Sequence, residues 1–477
     1  MPSIKSNIIY SSVLTVANYL FPLITYPYVT RVLGVANIGL CNFVDSVVSY
    51  FILFSMMGMT TLGIREVAKA KEDKEKLSSV FSSLLVINFF ATFIVITIFA
   101  ASIFLVPRFS ECRSLLFIGI IKVIFNYLLI EWFYRGLEDF RYITIRSVLV
   151  RLVYVICVFV FVKKADDYSI YYLLSVLTIV VNACINIKHS KGLVKFSFGS
   201  LNMRLFIKPF IILGIYALLT SMYTSFNVTY LGFVTDDTEV GYYTTATKIH
   251  AIILSLFTAF TGVLMPRLSS LAANNDRKEF YRLFSKSISL LYIFSFPVMI
   301  YSFIYAEDII SLIAGPGFEK SAICLRIIVP NILIIGLEQI YITQGLMSLS
   351  KDRAVFINSI IGASVGIISN LLLVPSIQSI GSSFVWIVSE IAVLSSSLFF
   401  ISKVDKKLLP SIRSFLKNVL QSIPIVCLLV LLNSSNMNFL YNLFVGLVVL
   451  FAYYFILLFF VEKDPFVVGL VKGVIRK

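Results

Sequence analysis

The chain has 477 residues, of which 59% are hydrophobic and only 14% charged, with a formal net charge of +15. A soluble domain carries roughly 25% charged residues, so the composition excludes an ordinary soluble enzyme or nucleic-acid-binding module. A mean hydropathy of +0.94 and recurring apolar runs point to an all-α polytopic membrane protein, each run being long enough for the ~30 Å hydrocarbon core.

In chain order, the first apolar run follows MPSIKSNIIY, which has one lysine and no small-residue cleavage site. It reads as a retained first span. About fourteen spans are predicted by length and apolarity. The first six are residues 8–30, 38–60, 80–106, 114–134, 143–162 and 168–187. The next six are 209–233, 241–265, 287–306, 322–348, 355–375 and 380–402, and the last two are 418–433 and 440–461. With the N-terminus cytoplasmic, inner segments hold 29 of the 40 Lys and Arg and outer loops hold six. The positive-inside rule then places both termini in the cytoplasm. The net charge reads as an orientation signal and a contact for anionic membrane lipids, with no nucleic-acid partner. The six cysteines are scattered without a CxxC pair, so neither a disulfide framework nor a metal site is expected.

Two stretches echo each other. TRVLGVANIGLCNFVDSVVSY bridges spans 1 and 2, and TYLGFVTDDTEVGYYTTATKI bridges spans 7 and 8. Both put Leu-Gly at one span's end (Leu33-Gly34, Leu231-Gly232) and a second glycine at the next span's start (Gly39, Gly241). Asp45 lies six residues past the first of these, Lys248 seven past the second. The echo predicts two six-helix lobes, parallel pseudo-repeats around a central cavity, plus two C-terminal helices. The expected boundaries are 1–190 for the N-terminal lobe, 191–208 for a basic cytoplasmic linker, 209–402 for the C-terminal lobe, and 403–477 for spans 13–14 and a cytoplasmic tail.

A charge at the centre of a span costs at least ~2.5 kcal/mol on the mildest scale, so intramembrane charges mark function or pairing. Helical spacing aligns Thr244, Lys248, Ser255 and Thr258 on one face of span 8, and Thr144, Ser147, Arg151 and Tyr154 on span 5. Asn18 lies in a similar stripe on span 1, and Asn42 with Asp45 on span 2. Such stripes line cavities, but small hydroxylated residues also pack helices in lipid; both readings stay open. Asp45, Glu338 and Glu390 are intramembrane acids suited to binding a cation or proton, or to closing a gate. His250 sits ~200° around the helix from Lys248 and points away from its stripe. There is no HExxH, nucleotide loop or pair of catalytic carboxylates. No catalytic residue, metal or cofactor is expected, and the chain reads as a non-enzyme.

The run FPLITYPYVTRVLGVANIGLCNFVDSVVSYFILFSMMGMTTLGIREVAKAKEDKEKL (21–77) closely resembles the start of bacterial polysaccharide flippases. These Wzx-like proteins belong to the multidrug/oligosaccharidyl-lipid/polysaccharide exporter superfamily. EWFYRGLEDFRYITIR (131–146), YLGFVTDDTEVGYYTTATKI (230–249), MPRLSSL (265–271), SLIAGPGFEKSAICLRI (311–327) and QGLMSLSKDR (344–353) are also similar to segments of that family. The resemblance implies two six-helix lobes around a cationic cavity. It implies alternating-access transfer of undecaprenyl-diphosphate-linked repeat units from the cytoplasmic to the periplasmic leaflet of a bacterial inner membrane, for O-antigen, capsule or exopolysaccharide assembly. A monomer is expected, with a polysaccharide polymerase and a chain-length regulator as further partners of the pathway.

On that resemblance, Arg31, Lys122, Arg151 and Lys248 are candidates for the diphosphate, arginine as a bidentate donor and lysine as a point charge. Asn18, Asn42, Tyr26 and Asn227 are candidates for contacts to the sugar. Asp45, Glu338 and Glu390 are candidates for gating or for coupling to Na+, H+ or the membrane potential. The alternative is a cation-coupled multidrug or small-molecule exporter of the same superfamily. Its cavity should be acidic, and the excess of in-span bases argues against it.

Overall fold

In the computed structural model the described residues are 4–197, 201–274, 276–434 and 438–461. They form helices joined by short turns, with no strand among them. In chain order these are α1 (Ile4–Met56), α2 (Met59–Ala70), α3 (Lys74–Leu105), α4 (Arg113–Leu128), α5 (Glu131–Gly136), α6 (Phe140–Phe161), α7 (Tyr168–Ser190), α8 (Met203–Thr224) and α9 (Phe226–Val234). There follow α10 (Asp237–Ala273), α11 (Arg277–Ile304), α12 (Ala306–Ile313), α13 (Glu319–Ile328), α14 (Asn331–Gln339), α15 (Asp352–Val404), α16 (Ile412–Asn433) and α17 (Phe439–Ile456).

Ten helices among the described residues are long and apolar enough to cross a membrane, or eleven if the bent pair Glu319–Ile328 and Asn331–Met347 is one span. The chain is a multi-pass membrane protein. The count falls short of fourteen partly because two of the ten, Ile9–Met56 and Asp352–Val404, are 48 and 53 residues long. A span needs only about 20. Each long helix is broken inside, α1 at Gly34 (φ 74°, ψ 172°) and α15 at Ile377 and Gln378 (φ 51° at Gln378). Gly34 lacks a Cβ and takes that conformation without a steric penalty. Pro22 and Pro27 lie upstream of the α1 break, within a stretch that stays helical.

Two compact units result: Met1–Thr245 with Phe356–Ser389, and Ala246–Val355 with Glu390–Lys477. They divide the chain at other places than the expected lobes, because α10 and α15 each contribute residues to both units.

In the first unit apolar side chains cover the outside as well as the core, while some polar ones are buried. On α3, Ser82, Ser83, Asn88 and Thr92 are buried, while Phe90, Phe93, Ile94 and Ile98 are exposed. Apolar side chains face outward because the solvent there is hydrocarbon, and polar ones turn inward to find partners. Asn88 donates to the Ser55 carbonyl at 2.7 Å. The start of α3 is fixed by Asp73, whose carboxylate accepts from the backbone N–H groups of Glu75 and Lys76, a standard N-cap. The unit has two apolar clusters. One gathers Phe43, Val47, Phe99, Leu115, Tyr172, Leu231 and Val374. The other gathers Met59, Phe81, Leu84, Trp132, Phe133 and Phe210. The expected linker is tied down along its middle: Ser78, Ser82 and Ser83 on α3 accept the N–H groups of Lys195, Ser197 and Asn202.

The second unit packs α11 against α14, α16 and α17, and α12 against α13. Tyr301 on α11 donates to the Leu443 carbonyl at 2.8 Å, and Ser422 pairs with Tyr454 at 3.0 Å. Residues Ile340–Met347 continue α14 as a π-helical stretch, a wider winding that often accompanies functional sites. The tail expected at 462–477 lies outside the described residues.

Candidate functional site

In the first unit, the two glycine-marked turns of the sequence meet. A Cβ placed on Gly39 would stand 1.6 Å from the Asp237 carbonyl oxygen, and one on Gly241 would stand 2.3 Å from that of Val35. Only hydrogen fits at either position, so α1 and the start of α10 touch backbone to backbone. Polar side chains flank this contact. Asn42 donates to the Thr244 hydroxyl at 2.8 Å, and Tyr26 shares a hydrogen bond with Thr245 at 2.8 Å. Asn227 donates to the Tyr243 hydroxyl at 3.3 Å and accepts from Asn370 at 2.7 Å. Tyr26 and Asn227 are both buried. In this conformation these two candidate sugar contacts therefore join helices to one another. Asn18 is exposed on α1.

Two ionic arrangements stand out. Lys122 on α4 forms an ion pair with Asp45 on α1 at 2.5 Å, with side chains 16% and 43% exposed. The residues expected to hold phosphate and to gate thus neutralise each other here. Arg108, in the turn Pro107–Cys112, was legible only as an outer-loop charge. Its guanidinium bonds Asp237 at 2.5 Å and the Gly232 carbonyl at 3.0 Å, pairs with Glu111, and lies 5.3 Å from the Phe43 ring centroid. Burial holds the Asp237 carboxyl above its ordinary range, against the opposing pull of Arg108.

Arg151 differs. It is half-buried at the middle of α6 and makes no hydrogen bond or ion pair among the described residues. Arg146, one turn earlier, is buried and bonded to Asn186 and Ser147. The sequence singles out Arg151 and not Arg146; in the structure what sets them apart is the partner that Arg146 finds in Asn186. Arg31 is exposed on α1 and donates to the Pro27 carbonyl at 2.7 Å.

In the second unit, Lys248 is half-buried on α10 and His250 is buried. Glu338 on α14 hydrogen-bonds Glu390 on α15. Glu390 is buried, and the second carboxyl oxygen of Glu338 is buried without a partner. Next to Glu338, Gln339 donates to Thr258 at 3.0 Å, which ties α14 to the polar stripe of α10. Arg326 pairs with Glu307 at 3.0 Å and is partly exposed. Among the described residues no group of three metal-ligating side chains occurs.

The "Polysaccharide biosynthesis protein" family matches residues 4–272. The chain belongs to this family. A curated relative of Escherichia coli (strain K12), named "Putative O-antigen transporter", is 26% identical over 405 residues, which is 84% of this chain and 97% of that protein. A "Probable flippase AglR" of Haloferax volcanii is 26% identical over 162 residues, 33% of this chain and 34% of that protein. Among solved structures, "Lipid II flippase MurJ, inward closed conformation" matches with TM-score 0.79 at 15% identity, over 94% of this chain and 99% of that one. An "Outward-facing conformation of a multidrug resistance MATE family transporter of the MOP superfamily" matches with TM-score 0.58 at 14% identity, over 85% and 96%. The two solved structures show that this chain shares their fold.

Proposed function

We propose that this chain is a flippase, not an enzyme, that moves lipid-linked oligosaccharides across a bacterial inner membrane for surface-polysaccharide assembly. The observation that carries this reading is membership of the polysaccharide biosynthesis family, combined with a fold like that of a lipid II flippase. The names of the curated relatives support the same transport class. The substrate class follows from chemistry. A diphosphate-linked polyprenyl lipid is anionic, and its head must pass ~30 Å of hydrocarbon. A cation held where water is scarce attracts it more strongly than one in bulk water. Arg151 supports this assignment, being a half-buried arginine with no carboxylate bound to it. Lys248 is the corresponding candidate of the second unit. Both termini are assigned to the cytoplasm by the Lys and Arg distribution.

The test is genetic and chemical. Deletion should cause a lipid-linked oligosaccharide to accumulate at the cytoplasmic face, identifiable by mass spectrometry. Arg151→Ala and Lys248→Ala should each abolish surface polysaccharide while the protein remains at normal level in the membrane. Normal polysaccharide in both variants sinks the phosphate-binding assignment. Absence of any accumulating lipid-linked sugar on deletion sinks the flippase reading.

A further inference from the structure

The first turn of α10 is gripped from three sides within the first unit. Its backbone presses against α1 through Gly39 and Gly241. Its first residue, Asp237, is held by Arg108 from the turn after α3, and Arg108 also binds the carbonyl of Gly232 at the end of α9. Its third residue, Glu239, is buried and accepts from the Ser379 backbone N–H at 3.2 Å and hydroxyl at 2.5 Å. Ser379 directly follows the break of α15 at Ile377 and Gln378.

Two features make this grip look built to release. First, its bonds are of kinds that water can replace one for one: an ion pair with Arg108 18% and Asp237 24% exposed, a carboxylate on a hydroxyl, and amide and hydroxyl pairs. The close approach through Gly39 and Gly241 is backbone against backbone, with the Val35 side chain beside it. Second, each gripping or gripped segment adjoins a break in regular helix. These are Gly34 in α1, Thr235 and Asp236 before α10, and Ile377–Gln378 in α15. Hinged motions are absorbed at a few such element ends, while the packed helices move as rigid bodies.

We propose that the first turn of α10 is a releasable latch, and that Arg108 and Glu239 are its positioning residues: Arg108 clasps it to the α3–α4 turn and Glu239 ties it to the α15 break. The latch must let go once in each transport cycle. Glu239 makes the α15 break part of the same event, because freeing the turn also frees Ser379. The inference rests on the flippase reading, in which the end of the unit bearing Arg108 faces outward and must open for a head group to leave.

The test uses the full chain in cells, with its native cysteines replaced. Arg108→Cys with Asp237→Cys is treated from outside with a membrane-impermeant bifunctional thiol reagent that a reductant can cleave. Crosslinking should stop surface-polysaccharide export, and reduction should restore it. A crosslinked protein that continues to export overturns the latch. A second measurement does not depend on the double-cysteine protein being active. Labelling of Ser46→Cys by an impermeant maleimide should rise several-fold in Arg108→Asp and in Asp237→Arg, and return to baseline when the two are combined. Equal labelling in all four backgrounds overturns the latch. Because labelling involves no substrate, the two ideas separate. Labelling that responds as stated in a strain whose deletion accumulates no lipid-linked sugar keeps the latch and removes the flippase reading.

Discussion

The two units treat their intramembrane acids in opposite ways. In the first, Asp45 is answered by a base, Lys122, at 2.5 Å. In the second, Glu338 is answered by another acid, Glu390. A carboxylate beside an ammonium is complete as it stands, and removing either partner leaves a stranded charge. Two carboxyl groups hydrogen-bond to each other only when one of them carries a proton. The first arrangement therefore holds α1 to α4, whereas the second brings two acids of α14 and α15 together. Of the expected coupling residues, we propose the Glu338–Glu390 pair for that role, to be tested as follows.

The largest expected effect falls on the acid pair. Glu390→Gln keeps the shape and a hydrogen bond to Glu338 but cannot cycle a proton. It should abolish export at unchanged protein level; normal surface polysaccharide would remove any coupling role. Next comes Lys122→Ala, which strands Asp45. Its cost should lie between the ~1 kcal/mol of an exposed pair and the ~3–5 kcal/mol of a buried one, since Asp45 is partly exposed. Thermal unfolding in detergent should show that loss, and adding Asp45→Asn should recover most of it. A stable but transport-dead Lys122→Ala, unrescued by Asp45→Asn, would reassign Lys122 to the substrate. Gly39→Ala tests whether the first unit depends on close approach as well as on charge. Its new methyl meets backbone, so a loss of about 1–3 kcal/mol is expected. Smallest of all is Arg326→Gln in the second unit. Its pair with the exposed Glu307 should contribute no more than ~0.5 kcal/mol to the melting transition.

Much of the fold was legible in the sequence, because a membrane span writes itself as a continuous run of local residues. The glycine echo of Gly39 and Gly241 also marked a real feature, since only glycine allows two backbones to touch. The partner of each charge was not legible. Lys122 and Asp45 are 77 residues apart, and Arg108 and Asp237 are 129 apart. Nothing in a helical stripe says which facing helix answers it. Arg108 reads in the sequence only as an outer-loop charge, and the expected span begins at Gly241, whereas the helix begins four residues earlier at Asp237. Arg146 and Arg151 are near neighbours on one helix, yet their fates differ because Asn186 on α7 reaches only the first.

The three serine hydroxyls of α3 that receive the N–H groups of Lys195, Ser197 and Asn202 also bear on how this connection withstands proteolysis. A protease must draw an extended stretch of backbone into its cleft, and exposed loops are its usual targets. The segment after α7 is basic and polar in composition, with Lys191, Lys195 and Arg204 as nominal cleavage points. Its amides around Lys195 are already occupied, so cutting there first requires unzipping them from α3. The serine spacing thus makes a nominally vulnerable joint resistant to cleavage, with the amides of Lys195, Ser197 and Asn202 seated on α3 as on a rail.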